Sequence, residues 1–298
     1  MMYLFLFIFG LAVGSFLNVI IFRYQPGEKI FDPKIIGGPG YWDNHSHCLN
    51  CKKKLQWYEL IPIISFLIQK GKCRGCSVKL SFQYPLVEIL TGLIFVFVPM
   101  SFALSLPLLH LPSSISLFII LSAIWIAIFF FFILLFAIDL KYFIIPDSIN
   151  FILAVLGVIL ISVNNFYGKF SLTTGSFLKH YAAIFGLRDS IWLNHLFAAV
   201  LGMLFFGLII FLSRGRAMGG GDFKLASVLG LIFGWPDIFM VLCLSFVIGA
   251  SISLILMIKG KKKIKDAVPF GPFLVIGASL VFFFGYQIIN LYFQLFNI

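Results

Sequence analysis

The chain has 298 residues, of which 61% are hydrophobic, only 11% are charged and 38 are phenylalanine. A water-soluble domain of this length needs a far more polar surface, so a soluble protein is excluded and an integral membrane protein is indicated. The formal net charge of +11 lies in short loops beside apolar runs, which reads as membrane topology and argues against nucleic acid as a partner.

The first apolar run, Met2 to Phe22, has no basic segment before it and no clear small-residue cleavage site, and its first strong positive charge, Arg23, comes after it. It reads as a retained span rather than a removable signal peptide. Further spans are predicted at about 85–106, 115–138, 148–164, 193–213, 223–236, 238–258 and 269–293. Most approach the ~20 residues needed to cross ~30 Å of hydrocarbon as a helix, and the alternation of a membrane barrel is absent. Ten Lys and Arg fall in 23–84, Lys141 follows the third span, Arg214 and Arg216 the fifth, and a cluster from Lys259 to Lys265 the seventh. These segments alternate consistently with about eight spans, with the N-terminus outside and 24–84 cytoplasmic. The expected fold is an all-α polytopic membrane protein in three parts: a first helix (1–23), a small zinc-ribbon-like domain (24–84) and a helical membrane domain (85–298). The 165–192 loop falls on the outer side, and no internal repeat is evident.

Within 24–84, "CLNC" and "CRGC" place Cys48, Cys51, Cys73 and Cys76 as two CxxC turns separated by 21 residues. Two intervening residues let both thiolates of a pair face one ion, and two such turns complete a closed tetrahedral site of the structural zinc type. Two redox dithiols or four unligated thiols are the alternatives, and His45 and His47 flank the first pair as substitute ligands. Cys243, in the seventh span, reads as a small packing residue.

Carboxylates in or near spans need a reason. Asp147 follows Pro146 and opens the fourth span, and Glu88 is placed in the first turn of the second; both fit helix-start roles. Asp139 ends the third span, against the negative pole of its helix, and so demands another explanation. Asp222 opens the sixth span behind Gly219, Gly220 and Gly221. All three aspartates fall on one face by the charge pattern. Two aspartates from different helices brought together cannot both ionise cheaply, so one can activate water while the other protonates a carbonyl oxygen. Backbone without Cβ at Gly219–Gly221 lets an extended peptide lie alongside Asp222.

Five segments in this order resemble the type IV prepilin peptidases, bifunctional leader peptidases and N-methyltransferases of type IV pilus and type II secretion systems. They are "GSFLNVIIFR" (Gly14 to Arg23), the cysteine segment from Cys48 to Cys76, "SFQYPLVEILTG" (Ser81 to Gly92), "IDLKYFIIPD" (Ile138 to Asp147) and "GGGD" (Gly219 to Asp222). The last resembles the GxGD motif of intramembrane aspartyl proteases. The chain departs from the family pattern at Leu49, Leu60 and Gln83, in the histidine before Cys48, and in the length of the 165–192 loop. The resemblance implies Asp139 and Asp222 as catalytic acids and places the family's PD aspartate on Asp147. It also implies a methyltransferase role for 24–84 with S-adenosylmethionine as donor, prepilin or pseudopilin substrates, and the bacterial inner membrane. "GGPG" (Gly37 to Gly40) reads as a loop rather than a nucleotide cradle, because no strand–GxGxxG–helix unit is present. A transporter using intramembrane carboxylates is the competing reading, and a peptidase without methyltransferase activity the variant within the first.

Overall fold

The computed structural model describes residues 1–28, 30, 46–48, 50–105, 112–167, 176–182, 190–216, 218–260 and 268–295. Gly37–Gly40, His45 and most of the Lys259–Lys265 cluster lie outside them. Among the described residues the chain is helical, and β-structure is confined to two isolated bridges. The long helices are α1 (Met2–Arg23), α3 (Gln83–Ser105), α4 (Pro112–Tyr142), α5 (Asp147–Phe166), α6 (Ile191–Leu212), α8 (Asp237–Ile258) and α9 (Gly271–Leu295). These seven are long and apolar enough to cross a membrane. Two shorter helices are α2 (Ile64–Ile68) and α7 (Gly220–Phe233). The long helices present large apolar side chains outward, such as Phe5, Phe151, Leu193 and Phe211, a surface suited to lipid rather than water. Cys243 is among the outward-facing residues rather than packed inside as expected, and a small thiol is compatible with an apolar surrounding.

Two compact units divide the chain, Met1–Leu134 and Leu135–Ile298. In the first, α1 packs closely along α3. A Cβ on Gly10 would sit 2.8 Å from Gly92 Cα, and one on Gly14 would sit 2.7 Å from Glu88 Cα, so small residues are what let these backbones approach. Asn18 Nδ2 donates to the Tyr84 carbonyl at 3.0 Å, and Phe22 stacks on Tyr84. Glu88 does not lie in the first turn as the sequence suggests. The helix begins at Gln83, before Pro85, so Glu88 falls in the second turn. There it is buried and accepts the Ile63 N–H at 2.8 Å. Ile63 has φ +61°, a costly setting for a β-branched residue, and Glu88 anchors it.

In the second unit α6 and α7 run antiparallel with Gly202 against the Ala226 carbonyl, Gly207 against Phe223 and Gly230 against the Ala198 carbonyl. The turn after α7 is held by Asn194. Its Nδ2 donates to the Trp235 carbonyl at 2.8 Å and its Oδ1 accepts the Trp235 N–H at 2.9 Å. His195 Nδ1 is 2.8 Å from the Leu231 carbonyl. At that same end Asp237, 1% exposed, accepts from Ser176 Oγ at 2.6 Å and from the Phe177 N–H at 3.0 Å. This buried carboxylate anchors 176–182, a piece of the loop whose length departs from the family pattern.

Candidate active site and metal centre

The cysteines come together first. Their Sγ atoms all lie within 4.8 Å of one another, with Cys48 and Cys76 at 3.9 Å and Cys51 and Cys73 at 4.0 Å. A tetrahedral zinc with ~2.3 Å bonds to sulfur needs edges of about 3.8 Å, so the donor set fits. Among the described residues this group contains no histidine. The two turns prove to be a structural repeat, which the sequence reading missed. His47 bridges Lys54 and Lys72 bridges Lys79. The Cys48 N–H donates to Lys53 and the Cys73 N–H to Val78, while Lys52 and Ser77 share positive φ. Each CxxC thus sits in the same tight turn, and the sequence repeats with it as CxxCxxKL, Cys48 to Leu55 and Cys73 to Leu80.

Donors around the sulfurs prepare them for a cation. The Val78 N–H, aided by Asn50, brings the Cys76 thiol down to about 6. At Cys51 the Lys53 N–H acts in the same sense, but desolvation and the three neighbouring sulfurs outweigh it and raise the thiol to about 11. Four thiolates side by side need a positive ion between them. Glu59 braces the first turn, accepting from the Gln56 N–H at 2.9 Å and from Lys53 at 3.2 Å. The Gln56 N–H, with Lys53, holds its carboxyl below the usual range.

In the second unit the acids gather where several helix ends meet. Asp139 lies one turn inside α4, which continues to Tyr142, and is 3% exposed. Asp222 lies in the first turn of α7 and is 9% exposed. Asp222 is close enough to act electrostatically on Asp139. Ile145, in the connection from α4 to α5, packs between Gly221 and Gly271. A Cβ on Gly221 would meet it at 3.1 Å, and one on Gly271 would meet its Cδ1 at 3.1 Å and Asp139 Oδ2 at 2.5 Å. Gly271 opens α9, and its N–H approaches the Asp139 carboxyl, although Oδ2 itself is buried without a partner among the described residues. The positive end of α9 therefore offsets the unfavourable pole of α4, which is the compensation Asp139 required.

Asp147 stands apart. It is exposed and pairs with Lys224 at 2.8 Å on the surface, as a helix-start residue rather than a member of the buried pair. The three glycines differ. A Cβ on Gly220 would meet nothing, one on Gly219 would make an ordinary contact with Asp222 Oδ2, and Gly221 alone is packed tightly. Gly271 and Ile145 were missed by sequence reasoning. The available signal was "FGPF" (Phe270 to Phe273), a Gly-Pro start to an apolar helix after a basic cluster.

Comparison with known proteins agrees over nearly the whole length. Residues 8–102 match the bacterial peptidase A24 N-terminal domain and residues 125–254 match the type IV leader peptidase family. The chain is 32% identical to the prepilin leader peptidase/N-methyltransferase of Legionella pneumophila, over 98% of this chain and 94% of that protein. It is 30% identical to the protein of the same name from Bacillus subtilis (strain 168), over 97% of each. This chain belongs to the type IV leader peptidase family. No solved structure gives a significant match. Membership in the leader peptidase family, with the seven apolar helices, makes it a multi-pass membrane protein and an enzyme.

Gly271 constrains the Asp139 carboxyl directly. Gly271→Ala puts a methyl group 2.5 Å from Asp139 Oδ2, inside van der Waals contact, while alanine is well tolerated at a helix start. Leader cleavage is expected to drop by about a hundredfold, the scale at which a displaced reacting group costs activity, with the thermal midpoint nearly unchanged. Cleavage rate and melting temperature measured on one preparation check both halves.

Proposed function

We propose that this protein is an aspartic endopeptidase of the bacterial inner membrane that removes the basic leader of type IV prepilins or pseudopilins, then methylates the new N-terminus. The observation that carries the peptidase reading is the convergence of Asp139 and Asp222 from α4 and α7 on one buried site, with an unpartnered carboxyl oxygen. One carboxylate takes a proton from a water whose oxygen attacks the scissile carbonyl carbon. The other, protonated, donates to the carbonyl oxygen. Collapse of the tetrahedral species breaks the C–N bond, and the amine leaves with the proton the first acid took up. Gly219 and Gly220 are the places for the substrate backbone, because a Cβ on Gly220 would meet nothing within 4 Å and one on Gly219 nothing closer than Asp222 Oδ2 at 3.8 Å.

The acids lie with Lys141, Arg214, Arg216 and Lys259 at one end of the helices, which the charge rule assigns to the cytoplasm, with the zinc domain on the same side and the N-terminus outside. That is where a basic leader emerges. Acids grouped at helix ends, rather than near the midplane, disfavour a transporter. Zinc would be held by Cys48, Cys51, Cys73 and Cys76 and would cross-link the 24–84 domain, in which the methyltransferase function is placed. The methyl group would come from S-adenosylmethionine, in keeping with the N-methyltransferase names of the relatives. The direct test incubates membranes carrying the protein with a prepilin and follows the new N-terminus by mass spectrometry. Leader loss plus one methyl group is expected. Leader loss without the methyl group leaves the peptidase standing and removes the methyltransferase, and an intact prepilin overturns the proposal.

A further inference from the structure

Among the described residues of the second unit, buried side-chain polar atoms without a partner belong to two residues only, Asp139 and Asn150. Asn150 is 5% exposed, and both its Nδ2 and its Oδ1 are unpartnered. A buried amide left wholly unpaired is costly and needs an explanation. Its position supplies one. Asp147 meets Lys224, and Gly157 meets Leu231 and Ile232, so α5 and α7 run parallel with their starts at the same end. Asn150 shares the buried stripe of α5 with Gly157, and this register sets it level with about residue 226 of α7. It is therefore about one turn, ~6 Å along the axis, beyond Asp222. The chain leading into α5 is the segment whose Ile145 packs between Gly221 and Gly271.

The chemistry of the group limits what it can hold. A neutral amide offers a donor and an acceptor side by side, which suits a peptide group and neither stores nor transfers a proton. Asn194 shows the pairing within this same unit, bracketing the N–H and the carbonyl of Trp235 with its own Oδ1 and Nδ2. Asn150 presents the same two groups, unoccupied, about one turn from Asp222.

We propose that Asn150 is a substrate-positioning residue whose side-chain amide pairs with a main-chain N–H and C=O of the prepilin next to the bond to be cut. This deepens the peptidase reading and rests on it. The test uses the full-length protein, a prepilin substrate and Asn150→Leu, which keeps the volume and removes both polar groups. Because the native amide is unpaired in the free protein, Asn150→Leu is expected to keep or raise the thermal midpoint. Its kcat/KM should fall about tenfold or more, the size of a lost hydrogen-bonded pair, chiefly through KM. In an Asp139→Asn background, where turnover is expected to be slowed by at least about a hundredfold, Asn150→Leu should weaken binding of a leader-junction peptide by a similar factor. A folded Asn150→Leu enzyme with unchanged kcat/KM overturns the proposal. So does a lowered midpoint with activity lost only in proportion to the folded fraction, or failure of both Asn150→Leu and Asn150→Ser to fold, since each marks a structural amide. Normal cleavage by Asp139→Asn would instead strike the dyad itself, so the two failures are told apart.

Discussion

Asp139→Asn and Asp222→Asn should each reduce leader cleavage by roughly a hundredfold to ten-thousandfold, the range spanned by a single positioned acid or base. Each substitution is isosteric and removes a buried charge, so the fold should survive and thermal stability should hold or rise. The double variant should be little worse than either single one, because two groups acting on one water fail together. Asp147→Asn is the contrasting case. Its carboxylate is exposed and paired with Lys224 on the surface, an interaction worth about 0–1 kcal/mol, and cleavage should stay within about fivefold of the parent, the most that so small a term can change a rate. Rates from a prepilin cleavage assay, normalised to folded protein, decide the matter. Wild-type turnover by either asparagine variant removes that residue from the chemistry.

The second large effect concerns the metal. Replacing any one of Cys48, Cys51, Cys73 or Cys76 by serine, or stripping the protein with a strong chelator, should release zinc and open residues 46–82 to protease. The reason is the thinness of that segment's own core. Its buried side chains are few, Cys48 and Cys73 among them, while Trp57, Leu67, Ile68 and Phe82 lie exposed. Structural zinc in small domains contributes about 10–16 kcal/mol of binding free energy at neutral pH, far more than such a core supplies. Zinc content by elemental analysis and the pattern of limited proteolysis are the readouts. A zinc-free protein whose 46–82 segment resists protease would dispose of the metal centre.

Much of this was legible in the linear sequence because the bilayer imposes it. Helix positions follow from apolar length, and all eight predicted spans have counterparts within a few residues, although α7 is too short to count as a span by length alone. The CxxC spacing foretold the thiol cluster for a similar reason, since two residues between cysteines admit few other geometries. What stayed hidden depended on contacts between distant segments. Gly271 matters because of where α9 starts relative to Asp139, and no local pattern carries that distance. Asn150 sits in an ordinary amphipathic start to a helix and differs from Asn194 only in having no partner. Glu88 was misplaced by one turn because Pro85 was read as the first helical residue, whereas two residues precede it in the helix. The knuckle repeat, by contrast, is written in the sequence itself, as CxxCxxKL at Cys48 to Leu55 and again at Cys73 to Leu80.

The shortness of α7 sets a depth gauge for the substrate. Its register against α6 puts Asp222 level with about Gly207, while α6 continues to Leu212, so the acid lies ~8 Å below that rim. On the proposed chemistry, a polypeptide entering over the rim threads two or three residues in extended form, at ~3.3 Å each, before its scissile bond reaches Asp222. Positive charges upstream of that short tether can remain among the headgroups while the bond is cut, and a chain that keeps its helical coil up to the rim stops short.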